Sequence, residues 1–213
     1  MINGCIFFIK FNSINMYQSI KRFIDIISSF ILLIALFPLL FSITIINLMY
    51  VQGNPFFLQT RFGKNLKPFS IIKFTTMVPS ESKKNVLGKW SHGYVQITPF
   101  GRILRLSSLD ELPNLLNVLR GEMSLIGPRP LLKNHIEKYR KNNIRTHEVR
   151  PGITGLAQVK RGRDGLSWNS KYSYDVFYVK NVSIKLDLYI IILTCKVLIN
   201  RTGHKEDGVD PPK

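Results

Sequence analysis

The chain has 213 residues, a length that suits one domain with a core of its own. Its 30 Lys and Arg against 13 Asp and Glu give a formal charge of +17, which calls for an anionic partner: nucleic acid, acidic lipid or a phosphorylated substrate. Cys5 and Cys195 lie far apart and form no metal-ligand pattern, so they read as reduced, buried thiols of a cytosolic compartment, not as a disulfide framework.

Residues 1–15 are apolar and irregular, with Lys10 the only charge and no small-residue cleavage motif of a signal peptide. They read as an N-terminal extension, with Met16 an alternative start. From Ile26 to Val51 there are 26 residues without a charge. As one helix they would measure roughly 39 Å, longer than the ~30 Å hydrocarbon core of a bilayer. Pro38 divides the run into two pieces, each too short to cross alone, and should kink it. Lys21 and Arg22 precede the run; Arg61, Lys64, Lys67 and Lys73 follow it. The positive-inside rule then places both ends in the cytoplasm, which a hairpin-like re-entrant helix satisfies and a span does not. Ser28, Ser29, Ser42, Thr44 and Asn47 are available to satisfy backbone groups freed at the break.

Beyond the turn Gly53-Asn54-Pro55, Phe56 to Gln59 reads as a short strand. Arg61 to Asn65 is a hairpin connection, and Phe69 to Phe74 alternates as a second strand should. Pro79 to Gly93 is polar and irregular, a loop. Ile103 to Leu106 is helix-like. Leu112, Leu115, Leu116 and Leu119 then repeat at helical spacing as a core face. The expected fold class is α+β, mainly helical with a small β-hairpin.

Ser108-Leu109-Asp110-Glu111-Leu112-Pro113 sits between those helical stretches, with Arg102 and Arg105 before it and the Gly/Pro-rich run from Gly121 to Pro130 after it. Pro113 belongs in a first helical turn, so the helix should start between Ser108 and Leu112. There, unpaired N–H groups and the helix dipole favour negative charge, and Asp110 should stay ionised near neutral pH. Ser108 and Glu111 also fit a capping box, a purely structural use of the same residues. The surrounding arginines and the Gly/Pro loop point instead to phosphate chemistry.

Leu131 to Asn142 is a further helix candidate, and Val149 to Gly155 a rigid turn region carrying Arg150. Lys160, Arg161 and Arg163 precede Trp168, Tyr172, Tyr174, Phe177 and Tyr178. Such interleaving could serve single-stranded nucleic acid, but at helical spacing it fits a core with interface anchors better, and no nucleic-acid partner is expected. Leu186 to Ile199 is apolar almost all round and too short to span, so it is either buried or lies in the membrane interface. The tail 202–213 reads as disordered. Walker-type glycine loops, H-E-x-x-H and zinc spacings do not occur.

Taken together, these stretches resemble the monotopic phosphoglycosyl transferases of bacteria, also called bacterial sugar transferases. The resemblance is carried by K-R-F-I-D at Lys21, R-F-G at Arg61, K-F-T-T-M at Lys73 and S-L-D-E-L-P at Ser108. It continues in G-E-M-S-L-I-G-P-R-P at Gly121, V-R-P-G-I-T-G-L-A-Q-V at Val149 and L-D-L at Leu186. It covers Met16 to about Arg201. Four departures stand out: Phe37 where the family has Ser, Thr75 where it has a basic residue, Leu156 where it has Trp, and one extra residue between Gln158 and Arg163.

The resemblance implies transfer of a sugar-1-phosphate from a UDP-sugar to undecaprenyl phosphate, releasing UMP through a covalent aspartyl phospho-sugar. It implies Asp110 as nucleophile and Mg²⁺ as cofactor. Glu111 is then a second metal ligand or a base, and Lys73, Arg105, Arg129, Arg150 and Arg163 are phosphate-binding candidates. The organisation it implies is a membrane-associated segment 16–52 with Pro38 at the break, then a catalytic domain 53–201 on the cytosolic face of the inner membrane, in contact with lipid. A homodimer is one candidate assembly. The alternative is a non-catalytic, membrane-anchored binder of polyprenyl phosphate or anionic lipid.

Overall fold

The computed structural model describes residues 2–51, 53–79, 95–132, 144–160 and 167–201. Among these the fold is mainly helical, with short strands paired two by two, as expected. Arg161, Arg163 and the tail 202–213 lie outside the described residues. So do nearly all of the loop expected over Pro79–Gly93 and of the helix expected over Leu131–Asn142.

Helix α1 runs from Ile2 to Tyr50, 49 residues or roughly 73 Å. Residues 2–15 are therefore helical, not irregular. The helix continues through Pro38, because a proline removes one backbone bond, the one to the Ile34 carbonyl, while the turns on either side keep theirs. The hydroxyls do not serve that freed carbonyl. Ser42 donates to the Pro38 carbonyl at 2.8 Å and Thr44 to that of Leu40 at 2.8 Å, each back-bonding within its own turn.

Both ends of the apolar run dock on the same folded body. Ahead of it, Arg22 donates to the carbonyls of Val118 and Leu119 at 2.5 and 2.9 Å, and Asp25 accepts from Leu125 N at 3.2 Å. Behind it, Ile43 packs with buried Phe74 and Leu104. Asn47, fully buried, donates to the carbonyls of Pro55 and Thr75, both at 3.0 Å. Between these anchors the helix leaves Phe30, Ile31, Ile34, Phe37 and Phe41 exposed.

Strands β1 (Phe56–Phe62) and β2 (Pro68–Phe74) form the expected hairpin, with Phe56 opposite Phe74 and Phe62 opposite Pro68. Its connection is a 3₁₀ turn, Lys64–Leu66, in which Asn65 and Leu66 take left-handed φ values of 55° and 57°. β3 (Met77–Pro79) pairs with β4 (Val95–Ile97), and α2 follows at Pro99–Ser107. Thr98 caps α2 by accepting from Gly101 N at 2.9 Å, with Pro99 in the first turn.

The acid pair departs from the expected helix start. Ser108 takes a left-handed φ of 58° and ends α2; Leu109–Asn114 is a 3₁₀ turn, and α3 begins only at Leu115, ending at Arg120. No side-chain cap from Ser108 is formed, so the capping box is corrected: at φ 58° Ser108 makes no cap bond, although its carbonyl still accepts from Glu111 N at 3.3 Å. The expected apolar face is corrected too. Leu115 and Val118 are buried but Leu116 is exposed, because the 3₁₀ turn shifts the helical phase ahead of α3.

The two Gly/Pro motifs are one unit. β5 (Ser124–Ile126) pairs in parallel with β6 (Gly152–Thr154). A Cβ on Gly152 would fall 2.0 Å from Gly127 N, so only glycine allows this backbone approach. Short α4 (Leu156–Val159), α5 (Trp168–Lys180) and α6 (Ile184–Arg201) complete the body. Tyr178 and Ile190 are almost wholly buried in its main core, while Leu188, Ile191, Ile192 and Ile199 on α6 are exposed, and so is Cys195, which was expected to be buried.

Candidate active site

The site is framed by β2, the 3₁₀ turn and the Gly127–Pro130 loop. What holds them in register is a pair of asparagines. The N–H of Ile72 is accepted by Asn114 Oδ1 and Asn117 Oδ1, both at 3.2 Å, and Asn117 Nδ2 donates to the Ser70 carbonyl at 2.7 Å. Asn117 thus acts as a substitute strand along the free edge of β2, and it is fully buried. The consequence is that Lys73, one residue further along β2, faces the acid pair.

Lys73 Nζ forms a short ion pair with Glu111 Oε1, and Arg129 Nη2 lies 3.9 Å from the same oxygen. These three side chains line one cleft with Arg61, Ile71, Asn114, Met123, Ile153 and Gln158. Arg61 donates to Gln59 Oε1 at 2.6 Å, and its Nη1 lies 3.5 Å from the Pro130 carbonyl. Burial and the nearby Arg129 pull the Arg61 guanidinium down to about 10, still charged at neutral pH.

Asp110 is pushed above the ordinary carboxylate range, first by burial and then by the neighbouring Glu111 charge; Lys73 and Arg105 oppose this. The direction is opposite to the one expected from a helix start, since the carboxyl is half-buried and adjoins the Glu111 charge. Arg105 is steered by an Nε–H···Oγ1 bond to Thr76 at 2.8 Å. Asp175 on α5, buried and within the field of Arg129, is pushed up to about 7 by burial.

Of the residues singled out in the sequence, Lys73, Glu111 and Arg129 therefore converge, with Asp110 and Arg105 coupled to them by charge. Arg150 is elsewhere. Its Nε donates to the Gly121 carbonyl at 2.9 Å, beside Arg22 at the C-terminal end of α3, where carbonyls favour cations. Arg163 falls outside the described residues. Sequence reasoning passed over Arg61, Gln158 and Asp175 as site residues. Arg61 and Gln158 stood inside quoted motifs, and that was their only signal of a place in the site.

Two adjacent, half-buried carboxylates fit a divalent cation, although Lys73 and Arg129 compete with it for Glu111. Mg²⁺ takes one or two carboxylates and completes its shell with water and phosphate oxygens. Groups of three or more His, Cys, Asp or Glu able to hold a metal are absent among the described residues, so no all-protein cage forms there.

The family profile described as "Bacterial sugar transferase" matches residues 16–201. The chain belongs to the bacterial sugar transferase family. Among family relatives it is similar to the uncharacterized sugar transferase EpsL of Bacillus subtilis (strain 168), at 45% identity over 88% of this chain and 91% of that one. It is also similar to a UDP-glucose:undecaprenyl-phosphate glucose-1-phosphate transferase of Klebsiella pneumoniae, at 39% identity over 91% of this chain. A UDP-N-acetylgalactosamine-undecaprenyl-phosphate N-acetylgalactosaminephosphotransferase of Aeromonas hydrophila matches at 34% identity over 89% of this chain. The matches cover 43% and 46% of those two relatives, so this chain spans less than half of their length.

Proposed function

We propose that the protein transfers a sugar-1-phosphate from a UDP-sugar to undecaprenyl phosphate, as the initiating step of a bacterial surface glycan. The observation that carries this reading is the Lys73–Glu111–Arg129 cluster beside half-buried Asp110, in a chain of this family. Phosphoryl transfer asks mainly for positioning and for cations around the moving group, and that is what this cleft offers.

In the proposed course, a carboxylate oxygen of Asp110 attacks the phosphorus that bears the sugar. A new Asp110–phosphorus bond forms, the bond to the oxygen bridging the two phosphates breaks, and UMP leaves with that oxygen. A phosphate oxygen of undecaprenyl phosphate then attacks the same phosphorus, and the Asp110 carboxylate departs unchanged. Burial raises the energy of the ionised Asp110 and so its reactivity, while Lys73 and Arg105 keep it ionisable. Glu111 holds Lys73 in place and is the second carboxylate available to the cation. Bound through Asp110 and Glu111, Mg²⁺ would neutralise charge on the diphosphate.

The catalytic body is proposed to lie on the cytosolic face of the inner membrane, with α1 re-entrant. Support comes from the two flanks of the apolar run, which meet: Lys64 Nζ donates to Gln18 Oε1 at 3.3 Å. The exposed apolar faces of α1 and α6 offer a surface for lipid, and the +17 charge suits an anionic leaflet.

The test is UMP release by the detergent-solubilised protein from a panel of UDP-sugars, with Mg²⁺ and undecaprenyl phosphate present. Release with at least one sugar, lost on adding EDTA and lost in Asp110→Asn, is expected. A folded protein that binds polyprenyl phosphate yet releases no UMP from any sugar would instead be a lipid-binding scaffold.

A further inference from the structure

Arg61 occupies the floor of the cleft in a state that the fold alone does not explain. One arm of its guanidinium is fixed by Gln59 at 2.6 Å, and the other reaches the Pro130 carbonyl only at 3.5 Å. Its Nε is buried and has no hydrogen-bond partner among the described residues. Glu111 could neutralise it, but that carboxylate already pairs with Lys73 and faces Arg129. Three cations thus line the cleft around one carboxylate. Gln158 Oε1, in the same cleft, is likewise buried and without a partner. Buried guanidinium N–H groups are normally satisfied, and a fold that merely needed to fill this space between Ile71, Met123 and Ile153 would use an apolar side chain.

We propose that Arg61 is a phosphate-binding residue: its Nε–H is the donor kept open for a phosphate oxygen of a substrate, beside Arg129 and Lys73. This rests on the phosphoglycosyl transfer reading and adds a ligand contact which that reading does not assign. A phosphate oxygen brings the missing acceptor and the missing negative charge at once, in a planar charge-assisted bond that guanidinium makes well. Two sources share that chemistry, the diphosphate of a UDP-sugar and the phosphate of the lipid acceptor. Arg61 also sits on β1, whose register against β2 ties it to Lys73 through the Phe57–Lys73 pair and to the hairpin through Arg61–Phe69. Arg61 and Lys73 are thereby held on one rigid hairpin, with Arg129 reaching in from the Gly127–Pro130 loop.

A purely structural Arg61 and a ligand-binding one answer differently to removal of the charge. The experiment compares wild type, Arg61→Met and Arg61→Lys as full-length protein in detergent. Thermal unfolding is followed alone, with UDP and with undecaprenyl phosphate, and KM and kcat are measured with the preferred UDP-sugar. Arg61→Met should unfold at or above the wild-type temperature without ligand, since it removes a half-buried cation with an unsatisfied Nε–H. It should lose the stabilisation by UDP and raise KM about 10- to 100-fold. Arg61→Lys, which keeps a charge but not the planar fork, should recover only part of both.

Loss of the undecaprenyl phosphate shift with the UDP shift kept would support the subsite and assign it to the acceptor. The proposal is overturned if wild type is stabilised by neither ligand. It is also overturned if Arg61→Met lowers the unfolding temperature while KM and both ligand shifts stay at wild-type values. Should Arg61→Met not fold, wild-type ligand shifts and KM in Arg61→Lys overturn it equally. The ligand shifts need no turnover, so a failure of the functional reading shows separately, as wild-type protein that releases no UMP.

Discussion

At the scale of single residues, ionisation is the most direct handle on the site. As the proposed nucleophile, Asp110 has to be ionised to attack, and burial together with Glu111 raises its pKa while Lys73 and Arg105 lower it. Activity should therefore fall with decreasing pH through a limb that lies above the ordinary carboxylate range. Lys73→Met should move that limb further up, because it removes a charge that favours the ionised form. A kcat/KM profile whose acid limb is the same in wild type and Lys73→Met would count against this. The sign for stability runs the other way. Asp175 is pushed from 3.8 to about 7, so the folded state keeps a proton that the unfolded state has lost. Stability linked to Asp175 is fully present below about 4 and is lost as pH rises through about 7. Asp175→Asn should flatten that decline, with an unfolding temperature at pH 8 no lower than wild type. None of this was legible in the sequence. Desolvation at Asp110 and Asp175 depends on what other segments fold over them, and the local pattern around Asp110 argued for the opposite direction.

At the scale of elements, α1 is tied to the C-terminal helices through Asp187. Its carboxylate accepts from Lys21 Nζ at 2.5 Å, Tyr17 Oη at 2.7 Å and Tyr178 Oη at 2.8 Å, and it is only 5% exposed. Removing it leaves a mostly buried ammonium and two hydroxyls without their partner. Asp187→Ala should cost on the order of 3–5 kcal/mol, read as a lowered unfolding temperature in detergent. Lys21→Met with Asp187→Leu should recover much of the loss, because the pair is then apolar on both sides. An Asp187→Ala protein as stable as wild type would remove this hub from the account. The hairpin was legible in the sequence because the Phe69-Ser70-Ile71 alternation and the turn chemistry near its tip are local signals, although β1 runs on through Arg61 and Phe62, which read as part of the connection. The Asp187 hub and the Asn117 edge bridge were not, since each joins positions far apart in the chain with no periodicity to mark them. The 3₁₀ turn at Leu109–Asn114 was misread for a related reason: Asp110, Glu111 and Pro113 suit the first turn of an α-helix equally well, and Ser108 at φ 58° overrides that preference.

At the scale of the whole molecule, the proposed reaction brings a soluble donor and a lipid acceptor to one carboxylate. The contacts of both α1 flanks with the same body favour a domain that rests on one face of the membrane. Single cysteines at Ser19 and Lys67, in a background without Cys5 and Cys195, should both be protected from a membrane-impermeant thiol reagent in intact cells. Both should react once the cells are opened; labelling of Ser19 alone in intact cells would mean that α1 spans.

The sharpest test of the central claim separates the two substrates in time. If Asp110 carries the phospho-sugar, the protein mixed with Mg²⁺ and its UDP-sugar, with no lipid acceptor, should release up to one UMP per active site in a burst. Its mass should rise by that of the sugar phosphate, and Asp110→Asn should show neither. UMP that appears only when undecaprenyl phosphate is added, with no change in protein mass, would contradict the account and leave the lipid phosphate as the direct nucleophile.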